Sequence, residues 1–165
     1  MKKILLLTLM CLGCFAISYA QNTRYVGTWK WHFDSPYEDG QEGIPPRDEY
    51  IRIDIEDGQV YVRLKMIGRD GYGRPFQSRT EGENIIINAD GSISFDKYIC
   101  KKTYDKCEHL YLTVWDHYVV KHEGGRLISS EKTMGESYNG NGDLVKEEKN
   151  REPIRKIYYN ENDNW

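Results

Sequence analysis

Apolar and polar residues alternate along most of the chain. Tyr25, Gly27, Trp29, Trp31 and Phe33 fall on one side of an extended segment, with Thr28, Lys30 and His32 on the other. Ile51, Ile53 and Ile55 alternate with Arg52, Asp54 and Glu56, and Val60, Val62, Leu64 and Met66 alternate with Tyr61, Arg63 and Lys65. The pattern returns at Ile93 and Phe95 among Ser92, Ser94 and Asp96, and at Leu110, Leu112 and Val114 among His109, Tyr111 and Thr113. Successive side chains of a strand point to opposite faces, so a period of two predicts a sheet with one face buried and the other wet. No long segment keeps the period of an amphipathic helix.

Turn residues punctuate these runs at Asp57-Gly58, Asp70-Gly71, Asp90-Gly91, Gly124-Gly125 and Asn139-Gly140-Asn141-Gly142. Asp, Asn and Gly tolerate the positive φ that tight hairpins demand. Further strands over 74–80, 84–88, 117–123, 126–135, 138–147 and 153–160 bring the expected number to about ten. So many strands cannot lie in one open sheet without curling, and closure removes exposed edges. The pattern therefore predicts an all-β domain, a single antiparallel meander β-barrel of about 8–10 strands, with a sandwich as the alternative. Residues 35–47, with Pro36, Gly40, Gly43, Pro45 and Pro46, read as a long loop between the first two strands.

The N-terminus changes the picture of where the domain works. Lys2 and Lys3 precede an apolar run over 4–17, and Ser18-Tyr19-Ala20 supplies small residues at both positions that a signal peptidase reads. The run is too short to cross a hydrocarbon core of about 30 Å as a helix. Residues 1–20 are thus expected to be a cleavable signal peptide and 21–165 a single domain, with an Ala-Gln junction resembling those of exported Gram-negative proteins. Cys11-Leu12-Gly13-Cys14 offers the small residue that a lipobox needs before its cysteine, but Cys11 stands where Leu is wanted and Phe15-Ala16-Ile17 prolongs the apolar run. The expected address is periplasmic or secreted, with a lipid anchor at Cys14, and so a membrane association, as the alternative.

Removal of residues 1–20 from the 165 leaves 145, enough for one domain with a real core. It also takes Lys2 and Lys3 from the 23 basic residues, leaving 21 against 26 acidic and a formal charge of −5. A mildly acidic chain without a basic cluster argues against nucleic-acid or anionic-membrane binding. Cys100 and Cys107 survive processing, and an even count in an oxidising compartment predicts one disulfide across the short loop between them. Such a staple would contribute about 2–3 kcal/mol.

Gly27-Thr28-Trp29, at the start of the first strand, resembles the Gly-x-Trp signature of lipocalins and related calycin barrels, and strand count, long first loop and chain length agree in outline. The resemblance implies that Trp29 closes one end of a barrel beneath a basic residue of the last strand: Arg155 first, then Arg151 or Lys156. Such a cation over an indole is a structural pair worth about 0.5–2 kcal/mol. The resemblance also implies an exported, non-enzymatic protein that holds a small apolar or amphipathic ligand inside the barrel. Trp31, Phe33, Met66 and Phe95 are the candidate lining residues, because inward aromatics give area together with a polar handle. The alternative is a protein-interaction or inhibitor module with a filled barrel, working through its outer face or the 35–47 loop.

Little else carries chemistry. His32, His109, His117 and His122 show neither HxH nor HExxH spacing, so no metal is expected. Asp116 would point inward if its strand kept phase and would then need a partner such as Arg155 or a tyrosine hydroxyl. A bulge returning it to solvent is the expectation. An enzyme would need Asp116, His117 and Arg155 in one pocket; no catalytic residue and no cofactor is assigned. Asn139-Gly140-Asn141-Gly142-Asp143 reads as a hairpin turn rather than a calcium loop, since the twelfth position is Asn150 instead of Glu. Aromatics are abundant, with 13 Tyr in the chain beside Trp29, Trp31, Trp115 and Trp165. Outward Tyr61, Tyr111 and Trp115 suggest a sugar- or protein-binding strip, or cross-strand pairs that merely stabilise the sheet.

Overall fold

Ten strands follow the alternating runs: β1 Gly27–Phe33, β2 Arg47–Glu56, β3 Gln59–Arg69, β4 Pro75–Glu81, β5 Glu83–Ile87, β6 Ile93–Asp105, β7 Leu110–Glu123, β8 Arg126–Tyr138, β9 Leu144–Glu148 and β10 Ile154–Glu161. The computed structural model describes residues 23–34, 46–70, 72–148, 152–161 and 165. The expected signal peptide, the Cys14 lipobox, nearly all of the 35–47 loop and Arg151 lie outside the described residues.

All strands belong to one antiparallel sheet with the path β4-β3-β2-β1-β10-β8-β7-β6-β5, and β9 pairs with β8 off that path. The first strand pairs with the last, Trp29 opposite Asn160. Two strands share one edge of β8: β9 lies against Gly135 to Tyr138 and β10 against Arg126 to Glu131. The sheet is not closed, because its path ends at β4 and β5. These two ends are consecutive in the chain, with only Gly82 between them, and the Gly82 N–H donates to the Val62 carbonyl of β3 at 2.8 Å. A Cβ at Gly82 would lie 2.9 Å from Val62 Cβ and 3.2 Å from Phe95 Cδ2, so β3 and β6 come close there.

The core explains the curl. Trp29, Ile51, Ile53, Val62, Phe95, Val120, Leu127 and Tyr158 meet in one buried cluster although they come from seven different strands. One sheet supplies every side of that cluster, so it must bend until one face packs against itself. Each such side chain stabilises the fold by about 1.5–3 kcal/mol relative to exposure. Hairpin chemistry fixes the register: Asp57 and Gly58 have φ of 49° and 79°, the paired positive values of a type I′ turn. At the C-terminus the Trp165 ring rests 5.1 Å from the Lys65 ammonium on β3.

Two expectations fail, for related reasons. β7 runs without a break through Asp116, which faces Lys97 on β6 and Thr133 on β8. The bulge expected there is absent, and Asp116 is buried because Thr133 Oγ1 donates to its Oδ1 at 2.8 Å and Lys97 Nζ lies 3.7 Å away. The bulges instead lie in β6, between Tyr98 and Cys100 and between Cys100 and Thr103. Each extra residue shifts the alternation. β6 also runs on to Asp105, leaving Cys107 in the turn and Cys100 opposite Val114. That places the two cysteines on the order of 10 Å apart along the strand, beyond the roughly 7 Å Cα separation that a disulfide spans. Both thiols are free, and the expected staple is not formed. Cys100 Sγ points at the Leu112 carbonyl at 3.8 Å, and Asp105 Oδ1 caps the Cys107 N–H at 2.7 Å.

Candidate functional site

Along the inward face, apolar residues give way to charged ones as each strand leaves the core. Two positions before Ile51 stands Glu49, two after Phe95 stands Lys97, two before Tyr158 stands Lys156, and two after Ser129 stands Glu131. Lys156 is the centre of this group: its Nζ lies 2.6 Å from Glu49 Oε2 and 2.7 Å from Glu131 Oε2, and it sits 4.6 Å over the Trp31 ring. Glu131 Oε2 meets the ammonium as an ion pair and has no further hydrogen-bond partner among the described residues. Arg47 Nε donates to Glu49 Oε1 at 3.0 Å, and the Tyr158 hydroxyl approaches Glu49 Oε2 at 3.4 Å. Burial pushes the phenols of Tyr118 and Tyr158 well above their ordinary value, and the carboxylates of Glu49 and Glu131 add to the shift. Both tyrosines therefore stay protonated and are neither bases nor nucleophiles.

This group is packed rather than hollow. Among the described residues, the cavity lined from this face by Glu49, Leu64, Met66, Lys97, Tyr118 and Tyr158 has a volume of about 20 Å³. That is room for about one water molecule, far below the roughly 300–1,000 Å³ of small-molecule sites. Of the sequence-derived lining residues, Phe95 is fully buried and stacked 4.9 Å from Tyr118. Met66 borders the small cavity, and Trp31 lies under Lys156 with Phe33 tilted beside it at 5.8 Å. The Trp29 indole N–H donates to the Tyr25 carbonyl at 2.8 Å, and its ring meets the edge of His122 at 5.5 Å. Arg155 is exposed and faces Ser130 on β8; the cation over an inward indole is Lys156, over Trp31.

A shallow cleft opens where β1 and β10 part beyond Lys30 and Tyr159. It holds about 470 Å³, and Lys30, His32, Arg155 and Lys156 border it. Three of these four are already engaged by carboxylates of the chain: Lys30 and His32 by Asp48, at 3.1 and 2.6 Å, and Lys156 by its two glutamates. Little positive charge is left there for a ligand.

The convex side of β6, β7 and β8 differs. Register sets Tyr104, Tyr111 and Tyr138 abreast on three neighbouring strands, and a second row brings Tyr98, Trp115 and Met134 together. The rings of Tyr104 and Tyr111 are 5.2 Å apart, and those of Tyr98 and Trp115 are 6.0 Å apart. Beside the first row lies a pocket of about 370 Å³, lined by Lys102, Tyr111, Tyr138, Asn139, Gly140 and Gly142. The sequence pointed to Tyr111 and Trp115 but also to Tyr61, which sits apart on β3 opposite Asp54. Tyr98, Tyr104 and Tyr138 escaped notice because their alignment depends on the bulges of β6 and on strand pairing.

The enzymatic set does not assemble: Asp116 is buried, His117 is half-exposed and bonded to Asp96 at 2.7 Å, and Arg155 is on the far side of β8. Among the described residues no three His, Cys, Asp or Glu side chains gather in a metal-holding arrangement, and no helix is long and apolar enough to cross a membrane. No family model, curated protein or solved structure matches the chain.

Proposed function

We propose that this chain is an exported, lipocalin-like barrel acting as a non-enzymatic binding module, whose recognition surface is the outer face of β6–β8 rather than the interior. The barrel reading is supported by the pairing of first strand with last and by the single-residue link at Gly82 between the two ends of the sheet path. In this reading β4 and β5 are one strand that changes partner at Gly82, and β9 and β10 both pair along β8. Export to the periplasm or medium rests on the N-terminal pattern over residues 1–20.

The observation that carries the choice of surface is the combination of free volume and uncommitted groups. The cavity beside Glu49, Met66 and Tyr158 holds about 20 Å³, and the cleft of about 470 Å³ beside Trp31 is bordered by Lys30, His32 and Lys156 that are already paired. About 370 Å³ lies open beside Tyr111 and Tyr138. A ligand inside would have to displace Trp31 or unpair Lys156, leaving Glu131 without a counter-ion and Glu49 with Arg47 alone. The test is titration of the purified protein with a fluorescent fatty acid, cis-parinaric acid. The expected result is no saturable enhancement. Saturable binding abolished by Met66→Trp would return the function to the interior.

A further inference from the structure

Resting on that reading of the outer face, we propose that the pocket at the β8–β9 turn binds a carbohydrate, with Tyr111 and Tyr138 as the stacking platform. A pyranose ring presents a C–H face that packs on an aromatic ring and an edge of hydroxyls that must be hydrogen-bonded. The pocket offers both. Tyr111 is 39% exposed and Tyr104 beside it 46%, so their rings are free to be covered. The remaining lining is polar or bare backbone: Lys102, Asn139, Gly140 and Gly142, without one aliphatic side chain. Leu144, opposite Tyr138 on β9 and 54% exposed, is a single aliphatic side chain at the edge, less than the wall a lipid chain needs. A stable protein partner would need about 800 Å² on each side with a charge-depleted centre, whereas Lys101, Lys102, Lys106 and Glu108 crowd this end of the hairpin.

The site is also held ready. Asn139 Oδ1 accepts from the Asn141 and Asp143 N–H groups, each at 2.9 Å, and Asn139 Nδ2 donates to Asp143 Oδ2 at 3.0 Å, so one side chain stiffens the whole turn. Gly140 and Gly142 have no atom within 4 Å of where a Cβ would stand, which lets a ligand approach the backbone. The φ of +87° at Gly142 keeps that position glycine. The Tyr138 hydroxyl is anchored on Glu136 and that of Tyr104 on His109 at 2.9 Å, which restrains both rings. Rigid aromatics cost little entropy on binding. The second row, four residues away along β7 at Trp115, lies about 13 Å farther on. An oligosaccharide could therefore extend from one row toward the other.

Native affinity electrophoresis tests this, with the purified protein run through gels containing xylan, mixed-linkage β-glucan, mannan, dextran, chitosan or pectin. Wild type is expected to be retarded in at least one gel. Tyr111→Ala should weaken that retardation by roughly tenfold, Tyr111→Phe should retain it because the ring remains, and Tyr61→Ala on β3 should leave it unchanged. Retardation by no polysaccharide, or retardation indifferent to Tyr111→Ala, overturns the proposal. If the gels fail and cis-parinaric acid also fails to bind, the outer-face reading stands without its sugar. Saturable binding of the fatty acid removes that reading as well.

Discussion

Lys156 on the concave face and Tyr111 on the convex face each sit among aromatic rings, charges and hydrogen-bonding groups. Around Lys156 those groups are spent on one another: two carboxylates and an indole hold the ammonium, about 20 Å³ remains beyond Glu49 and Tyr158, and in the open cleft beside Trp31 the cations Lys30, His32 and Lys156 are all paired. Around Tyr111 the rings keep much of their surface open beside about 370 Å³ of space. Titratable residues in a protein interior are often the mark of a functional site. Here the sign is reversed: the denser polar cluster is paired within itself, and the sparser one is left open.

The sharpest way to break this comparison is to remove the central cation. In Lys156→Met, Glu131 loses its counter-ion and Glu49 keeps Arg47 alone, and the expected loss of stability is about 3 kcal/mol. Urea unfolding monitored by tryptophan fluorescence would measure it. A loss below about 1 kcal/mol would mean that the cluster is hydrated, and the interior would again be open to ligands. Next in size is Gly82→Ala. Its Cβ would be 2.9 Å from Val62 Cβ, so the approach of β3 to β6 has to loosen, at a cost of about 1–3 kcal/mol. A neutral Gly82→Ala would show that the two ends of the sheet are held apart, contrary to a barrel.

Much of this architecture is legible in the sequence, and the limits are instructive. The alternation over 51–56 and 60–66 together with Asp57-Gly58 gives the turn and the adjoining halves of β2 and β3, which extend further, back to Arg47 and on to Arg69. The same parity, carried two positions past the last apolar residue, reaches Glu49, Lys97 and Lys156, so the inward charges were readable as candidates. Their pairing was not: Glu49 and Lys156 are 107 positions apart, and only the neighbouring of β1 and β10 brings them together. Local pattern also misplaces whatever follows a bulge, which is why Cys100 and Tyr98 to Tyr104 were hard to assign. The break at Asp116 was inferred from the cost of burying a carboxylate, and that cost is met by Thr133 and Lys97 on strands that the local sequence does not identify.

A smaller effect separates the rim from the interior by pH. Burial works against ionisation of Asp48, but His32 and Lys30 outweigh it and hold the carboxyl below its ordinary value of 3.8. A carboxyl depressed in the folded state stabilises the fold above its unfolded value, and the contribution disappears as pH falls through the folded one. The stabilisation by Asp48 is therefore in place above about pH 4 and is lost on further acidification. Asp48→Asn should flatten that part of the acid limb while lowering stability at neutral pH by no more than about 1 kcal/mol. Thermal unfolding across pH 2.5 to 7, within the range of roughly 1 to 7 over which carboxylates act, would show an unchanged acid limb if the contact did not form.

The smallest effect expected concerns the two thiols, one within the sheet on β6 and one in the turn that follows it. With no disulfide between them, a reductant should leave the unfolding midpoint where it was. Native thiol labelling should then divide them. Cys107 is exposed in the turn after Asp105 and should react at once, whereas Cys100 is partly buried opposite Val114 and should wait for the sheet to open. Thiolate access, not packing, sets such rates. If Lys156→Met loosens the interior as argued above, labelling of Cys100 should accelerate in that variant while that of Cys107 does not. Tyr111→Ala, which touches only the outer face, should change neither. Unchanged labelling of Cys100 in Lys156→Met would mean that the cluster around Lys156 does not hold β6 closed, and the contrast between the two faces would then lie in their contacts alone and not in their stability.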